Sequence, residues 1–184
     1  MPGKLDPEKQ AAFLDEYEKL RKTKGKNDPI DFADACHPQH NIIPGYGGIR
    51  RGTDKELKSN GGHKRVNING AADIDTMEIT TDFTKSINGA SSLRLFKKIK
   101  AKHPKAEKIH VIVDNASYYV SKWLKEKLTD SKIVLHFLPG YSPNLNWMER
   151  FLWKFFKKIL YNKYYEKYED FLSACKGFFR CRTK

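Results

Sequence analysis

Apolar side chains first recur at helical spacing near the N-terminus, where Phe13, Tyr17 and Leu20 form one stripe on a polar segment. Asp6 can cap that helix, Pro7 suits its first turn, and Lys22 and Lys24 followed by Gly25 suit its end. A polar linker from Lys24 to Pro29 leads into Ile30-Asp31-Phe32-Ala33, a short strand running into Asp34. Asp31 is out of keeping there, since a charge inside a strand costs stability unless it faces solvent. Glycines and β-formers then predict antiparallel strands around Gly45–Arg50, Arg65–Ala71 and Met77–Thr80, with Asn60-Gly61-Gly62 as a turn. Helical spacing returns over Ala90–Lys102, with Leu93, Phe96 and Ile99 inward.

Ile109–Val113 is apolar on both faces, the mark of a buried central strand, and it ends at Asp114. A helix over Ser117–Leu128 stripes Val120, Leu124 and Leu128. The strand Ile133–Leu138 runs into Pro139-Gly140-Tyr141-Ser142-Pro143-Asn144, a loop dense in breakers. A long helix follows with Leu145, Met148, Leu152, Phe155 and Ile159 inward, and a last one spans Glu166–Phe179. An antiparallel meander followed by β-α-β predicts an α/β fold whose mixed sheet has an antiparallel and a parallel half, flanked by helices.

Charge narrows the function. The 184 residues hold 35 Lys and Arg against 22 Asp and Glu, a net +13, which favours a polyanionic partner, most simply nucleic acid. Aromatic content of 12% excludes a disordered basic tail, and no run of 18 uncharged apolar residues is present to span a membrane. The first residues lack the apolar stretch of a secretory signal. Cys36, Cys175 and Cys181 form no zinc-like pairs, which suits a reducing compartment. Cys36, His37 and His40 lack a fourth ligand and read as scaffold. Trp123 and Trp153 read as core, and His63-Lys64-Arg65 as either a phosphate contact or a solvated hairpin tip.

Asp34 and Asp114 each follow a strand, and open α/β sheets build their sites just past carboxyl strand ends. Glu149 lies in the first turns of the helix after the Pro-rich loop. Oxygen donors with no matching His or Cys set suit Mg²⁺ or Mn²⁺, and a pair of such ions can serve phosphoryl transfer. An aspartate after a strand is also a common turn or cap residue, so spacing alone leaves both readings open.

Three stretches carry a resemblance. Val113-Asp114-Asn115-Ala116-Ser117-Tyr118, Leu138-Pro139-Gly140-Tyr141-Ser142-Pro143-Asn144-Leu145-Asn146 and Glu149-Arg150 resemble the signature of DDE transposases. The nearest group is the bacterial insertion-sequence branch of the mariner supergroup, the six-thirty family. Thirty-four residues separate Asp114 from Glu149, as in that branch, and Asp34 to His40 and Arg65 to Ala71 resemble its first-aspartate motif and following strand. The resemblance implies a ribonuclease H-like fold, with Asp34, Asp114 and Glu149 as catalytic residues holding two Mg²⁺ or Mn²⁺ ions. It also implies double-stranded DNA, both transposon ends and target, as partner, a homodimer on that DNA, and a bacterial cytoplasm.

On this reading residues 1–28 are an N-terminal helix and linker and residues 29–184 the catalytic domain. The family's upstream helix-turn-helix region is not in the sequence, so a separate DNA-binding N-terminal half is a further expected partner. Glu149-Arg150-Phe151-Leu152-Trp153 holds one residue more than the family's usual Glu-Arg-x-Trp. The expected activity is metal-dependent DNA strand cleavage and strand transfer in transposition. The alternative is a truncated, non-catalytic DNA-binding remnant of such an enzyme, and a structure-selective nuclease on the same fold is a third reading.

Overall fold

The computed structural model describes residues 6–41, 48, 50–52, 56, 58, 60, 64–161 and 163–180. The strand expected at Gly45–Arg50 and the residue His63 therefore lie outside the described residues, wholly or in part. Helix α1, Pro7–Thr23, starts as expected: the Asp6 side chain accepts from the Lys9 amide, with Pro7 in the first turn. Its apolar stripe of Phe13, Tyr17 and Leu20 packs on the core, while its outer face stays in water.

Five strands form one sheet in the order β3-β2-β1-β4-β5. They are β1 (Ile30–Cys36), β2 (Asn67–Asp73), β3 (Ile79–Thr84), β4 (Ile109–Val113) and β5 (Ile133–Phe137). β1, β2 and β3 pair antiparallel, and β1, β4 and β5 pair parallel, which is the mixed sheet expected. β2 and β3 lie about two residues later than the sequence pattern placed them. Met77 falls in the turn between them at φ 58, and the Asp73 side chain closes that turn by accepting from the Asp75 amide.

On one face α2 (Gly89–Lys102), α3 (Ser117–Val120) and α4 (Lys122–Leu128) cover Ala33, Val111 and Val113. On the other face a π-helical turn (Met148–Trp153), α5 (Lys154–Tyr161) and α6 (Tyr168–Arg180) cover Phe32, Ile68 and Ile112. The expected Ser117–Leu128 helix is two pieces, because Ser121 adopts extended backbone and its side chain caps α4. That break turns Tyr119 into the core and leaves Val120 and Trp123 exposed, so neither is the core residue expected. Trp153, by contrast, is fully buried.

The helix after the Pro-rich loop departs from the expected stripe for one reason. Its π turn accommodates one more residue than an α-turn would, so every later position rotates by about 100° relative to a continuous α-helix. Leu152 is buried as expected, but Phe156 and Leu160 point inward in place of Phe155 and Ile159. This turn lies at the segment whose sequence carries the extra residue.

Candidate active site

The β1–β4 register sets the first two acids side by side. The parallel pairing reaches Phe32 opposite Ile112, and Asp34 and Asp114 each lie two residues further on. Side chains two apart in a strand share a face, so both carboxylates project from the face that carries Phe32 and Ile112. Asp34 does not end its strand, as the sequence suggested, but sits inside β1, because β2 goes on pairing as far as Cys36. Only its β4 side is open.

Glu149 arrives from above. Its π turn packs on β1 and β2, and Gly70, directly opposite Asp34 in the sheet, leaves room for it. A β-carbon on Gly70 would lie 2.8 Å from the Trp153 ring and 2.9 Å from the Met148 methyl. Asp34, Asp114 and Glu149 line one cleft of about 620 Å³, together with Asn115, Tyr141, Asn146 and the Pro139–Pro143 loop. The structure thus brings together all three acids singled out in the sequence.

Each acid has a distinct local setting. Asp34 is only 8% exposed; its Oδ1 accepts from the Ala35 amide at 2.8 Å and its Oδ2 from Asn146 Nδ2 at 3.1 Å. Burial, with Asp114 and Glu149 adding like charge, pushes its carboxyl up to about 7 despite those two donors. Asp114 Oδ1 accepts from the Ala116 amide at 3.0 Å, forming a turn out of β4. Glu149 Oε1 pairs with Lys157 Nζ at 3.1 Å. Burial opposes the Lys157 charge, but the Glu149 bond outweighs it and holds the ammonium above its ordinary value.

The Pro-rich loop is pinned from two sides. Asn115 Nδ2 donates to the Leu138 carbonyl at 2.7 Å, so it ties the β4 exit to the β5 exit and leaves the next helix without a side-chain cap. Gln10 of α1 donates to Ser142 and Asn144 on the far side. Asn146 both donates to Asp34 and accepts from the Met148 amide, so one side chain fixes the first acid and starts the turn bearing the third. Asn146 and Lys157 are the site residues that sequence reasoning missed. Asn146 was visible only as part of a motif, and Lys157 had no signal.

The donor set suits hard divalent cations: clustered carboxylate oxygens, whose mutual repulsion and burial push the Asp34 carboxyl up and which a cation would relieve. Cys36 nearby is no competing ligand, since burial pushes its thiol up to about 12. Among the described residues no three acid, His or Cys side chains yet converge on one point, because Glu149 is turned to Lys157 and Asp114 to its own turn. His37 bonds Asn67 and His40 bonds the Tyr165 carbonyl, so those residues are scaffold as expected.

Residues 29–172 match the family described as DDE superfamily endonuclease. The chain belongs to that family. A 108-residue stretch is 32% identical to an insertion element IS630 uncharacterized 39 kDa protein of Shigella sonnei, covering 56% of this chain and 30% of that protein. Among solved structures, the Mos1 mariner paired-end complex with Mn superposes with a TM-score of 0.74 at 16% identity, over 98% of this chain and 57% of that one. The catalytic domain of Mos1 mariner transposase superposes with a TM-score of 0.67 at 13% identity, over 98% and 85%. These likenesses bear out the ribonuclease H-like fold and the expected family, and the chain spans little more than half the length of the full Mos1 chains. No helix among the described residues is long and apolar enough to cross a membrane.

Proposed function

We propose that this chain is the catalytic domain of an insertion-sequence transposase, cutting DNA strands and joining the freed ends to target DNA at Asp34, Asp114 and Glu149. The observation that carries the reading is the register that sets Asp34 beside Asp114, with the Glu149 turn seated over them on Gly70. Residues 29–184 form the catalytic unit, with residues 1–28 a helix and linker that brace the Pro-rich loop. Double-stranded DNA is the partner, on which two copies act, with a separate N-terminal half supplying end recognition, in a bacterial cytoplasm. Kinship with the Shigella insertion-element protein and the fold of Mos1 structures containing transposon-end DNA support this.

Asp34 and Asp114 would hold one divalent ion between them, and Asp34 and Glu149 the other. Bound there, Mg²⁺ or Mn²⁺ supplies activation of the attacking oxygen and neutralisation of the leaving one. The remaining work belongs to the chain. Asn146 fixes the rotation of the Asp34 carboxyl, and the Asn115 and Gln10 bonds hold the cleft wall rigid, so positioning is settled before DNA arrives. Lys157 balances the Glu149 carboxylate, which would have to exchange that partner in order to hold an ion. In the first step water attacks phosphorus and the 3′-oxygen leaves with a proton as a 3′-hydroxyl. In the second that hydroxyl attacks a target phosphodiester and displaces another 3′-oxygen.

Strand cleavage of duplex DNA carrying the element's ends, with Mn²⁺ or chelator and with the N-terminal half supplied, tests this. Cutting that requires metal and is abolished in Asp114→Asn and Glu149→Gln is the expected result. DNA binding with no cutting under any condition would leave the remnant reading.

A further inference from the structure

A second cleft, of about 430 Å³, opens between the start of β2, the end of β3 and α6. Arg65, Lys85 and Lys176 line it, and no carboxylate does among the described residues. This is unlike the lysines around it. Lys98 and Lys102 on α2 are spent on Asp82 and Glu78 at 2.7 Å each, and Lys157 is spent on Glu149. Of the lining cations Lys176 is held by a ring, its Nζ 5.9 Å from the Phe83 centroid, and neighbouring Lys64 Nζ lies 5.5 Å from that of the lining Tyr168. An aromatic face orients an ammonium without cancelling its charge or using up its N–H donors. The cleft therefore presents positive charge that no carboxylate among the described lining residues balances, which is what an anion site requires.

Its place in the sheet says which anion. Asn67 and Thr84, paired at its floor, lie three residues along the strands from Gly70, the residue opposite Asp34. The cleft and the triad thus share one end of the sheet, roughly 11–14 Å apart from strand spacing and rise. One strand of B-DNA advances about 3.4 Å per phosphate along the duplex axis and its phosphates lie further apart than that through space, so a few nucleotides of one strand span the gap.

We propose that this cleft grips the phosphodiester backbone of DNA and sets which bond of the strand lies over the triad. The inference rests on DNA being the substrate, as proposed above, but not on catalysis. It gives Arg65, left open between a phosphate contact and a hairpin tip, the first of those roles.

The test is binding of a fluorescein-labelled duplex by fluorescence anisotropy across a salt titration, in chelator so that no cutting occurs. The triple variant Arg65→Gln/Lys85→Gln/Lys176→Gln is compared with Lys97→Gln/Lys125→Gln/Lys127→Gln, which removes the same charge from exposed helix positions on the opposite face of the sheet. The cleft variant is expected to flatten the slope of log affinity against log salt by about 2.7, three phosphates at about 0.9 each. The control variant should leave the slope unchanged. Lys85→Gln and Lys176→Gln alone should each remove about 0.9, which covers the case that the triple variant unfolds. Equal slopes for the two triple variants, or no duplex binding by the wild type, would overturn the cleft assignment. A flattened slope in a protein that never cleaves would instead preserve the cleft and sink the catalytic reading.

Discussion

Trp153 lies so close over Gly70 that a β-carbon on the glycine would come within 2.8 Å of its ring, and Gly70 is the residue opposite Asp34 across the β1–β2 ladder. The distance between the first and third acids is therefore set by a missing side chain. Gly70→Ala should overpack this contact and lift the Glu149 turn, costing about 1–3 kcal/mol in urea denaturation. Cleavage should fall further than the stability loss alone explains. A variant with wild-type stability and activity would show that the turn is not seated by Gly70.

Asn146 joins two tasks, donating to Asp34 and receiving the Met148 amide. Asn146→Ala leaves a buried carboxyl short of a donor and a helix start uncapped, so a loss of about 1–3 kcal/mol is expected in thermal or urea melts. Asn146→Asp should be worse for metal-free protein at neutral pH, because it adds a further acid beside Asp34. Recovery of the Asp variant on adding Mn²⁺, but not of the Ala variant, is the outcome that separates charge from packing.

The sequence showed the strands well and the helices less well, for physical reasons. β4 is an apolar run whose interior place in the sheet follows from burial on both faces, and Asp34 and Asp114 were legible as acids at strand ends, while their pairing side by side came only from the β1–β4 register. The end of β1 was not legible, since its last residues pair only through β2. Lys157 was hidden by the π turn. Eight residues after Glu149 is about 80° off its face on a regular helix, and the extra residue in the turn brings it back to within 3.1 Å. Asp31 was expected to cost stability unless it faced solvent, and it does not: it is 2% exposed.

Asp31 makes the fold sensitive to pH. It lies opposite Asp73, its Oδ2 has no hydrogen-bond partner among the described residues, and Glu78 and Lys102 are the other charges facing it. Burial first, and Asp73 second, push its carboxyl from 3.8 to about 7. The folded chain therefore holds a proton that the unfolded chain has lost, and this residue's contribution falls as pH rises through that window. Asp31→Asn should be more stable than wild type by about 1–3 kcal/mol at pH values above about 7, with the gain shrinking towards about pH 4. His110 and His136, bonded to each other at 3.0 Å, act oppositely. Burial holds both below 6.5, so their contribution is present above that value and is lost as pH falls below it. Urea melts of both proteins across this range check the Asp31 difference, and a gain that does not vary with pH would contradict it.

If Glu149 holds a divalent ion as proposed, Lys157 would compete with that ion for its carboxylate. The pair is partly exposed and worth about 0.2–1 kcal/mol, so Lys157→Met should tighten Mn²⁺ binding by up to about fivefold in calorimetry. Weaker binding would mean that the ammonium assists the site in some other way.

The most direct test of the three-acid site is a crystal of the protein soaked in Mn²⁺ and measured at the manganese edge. Two anomalous peaks about 3.5–4 Å apart are expected, one between Asp34 and Asp114 and one between Asp34 and Glu149, with the Glu149–Lys157 bond broken. Ions bound elsewhere, or none while Glu149 remains on Lys157, would contradict the assignment of these residues as the metal-holding, catalytic centre.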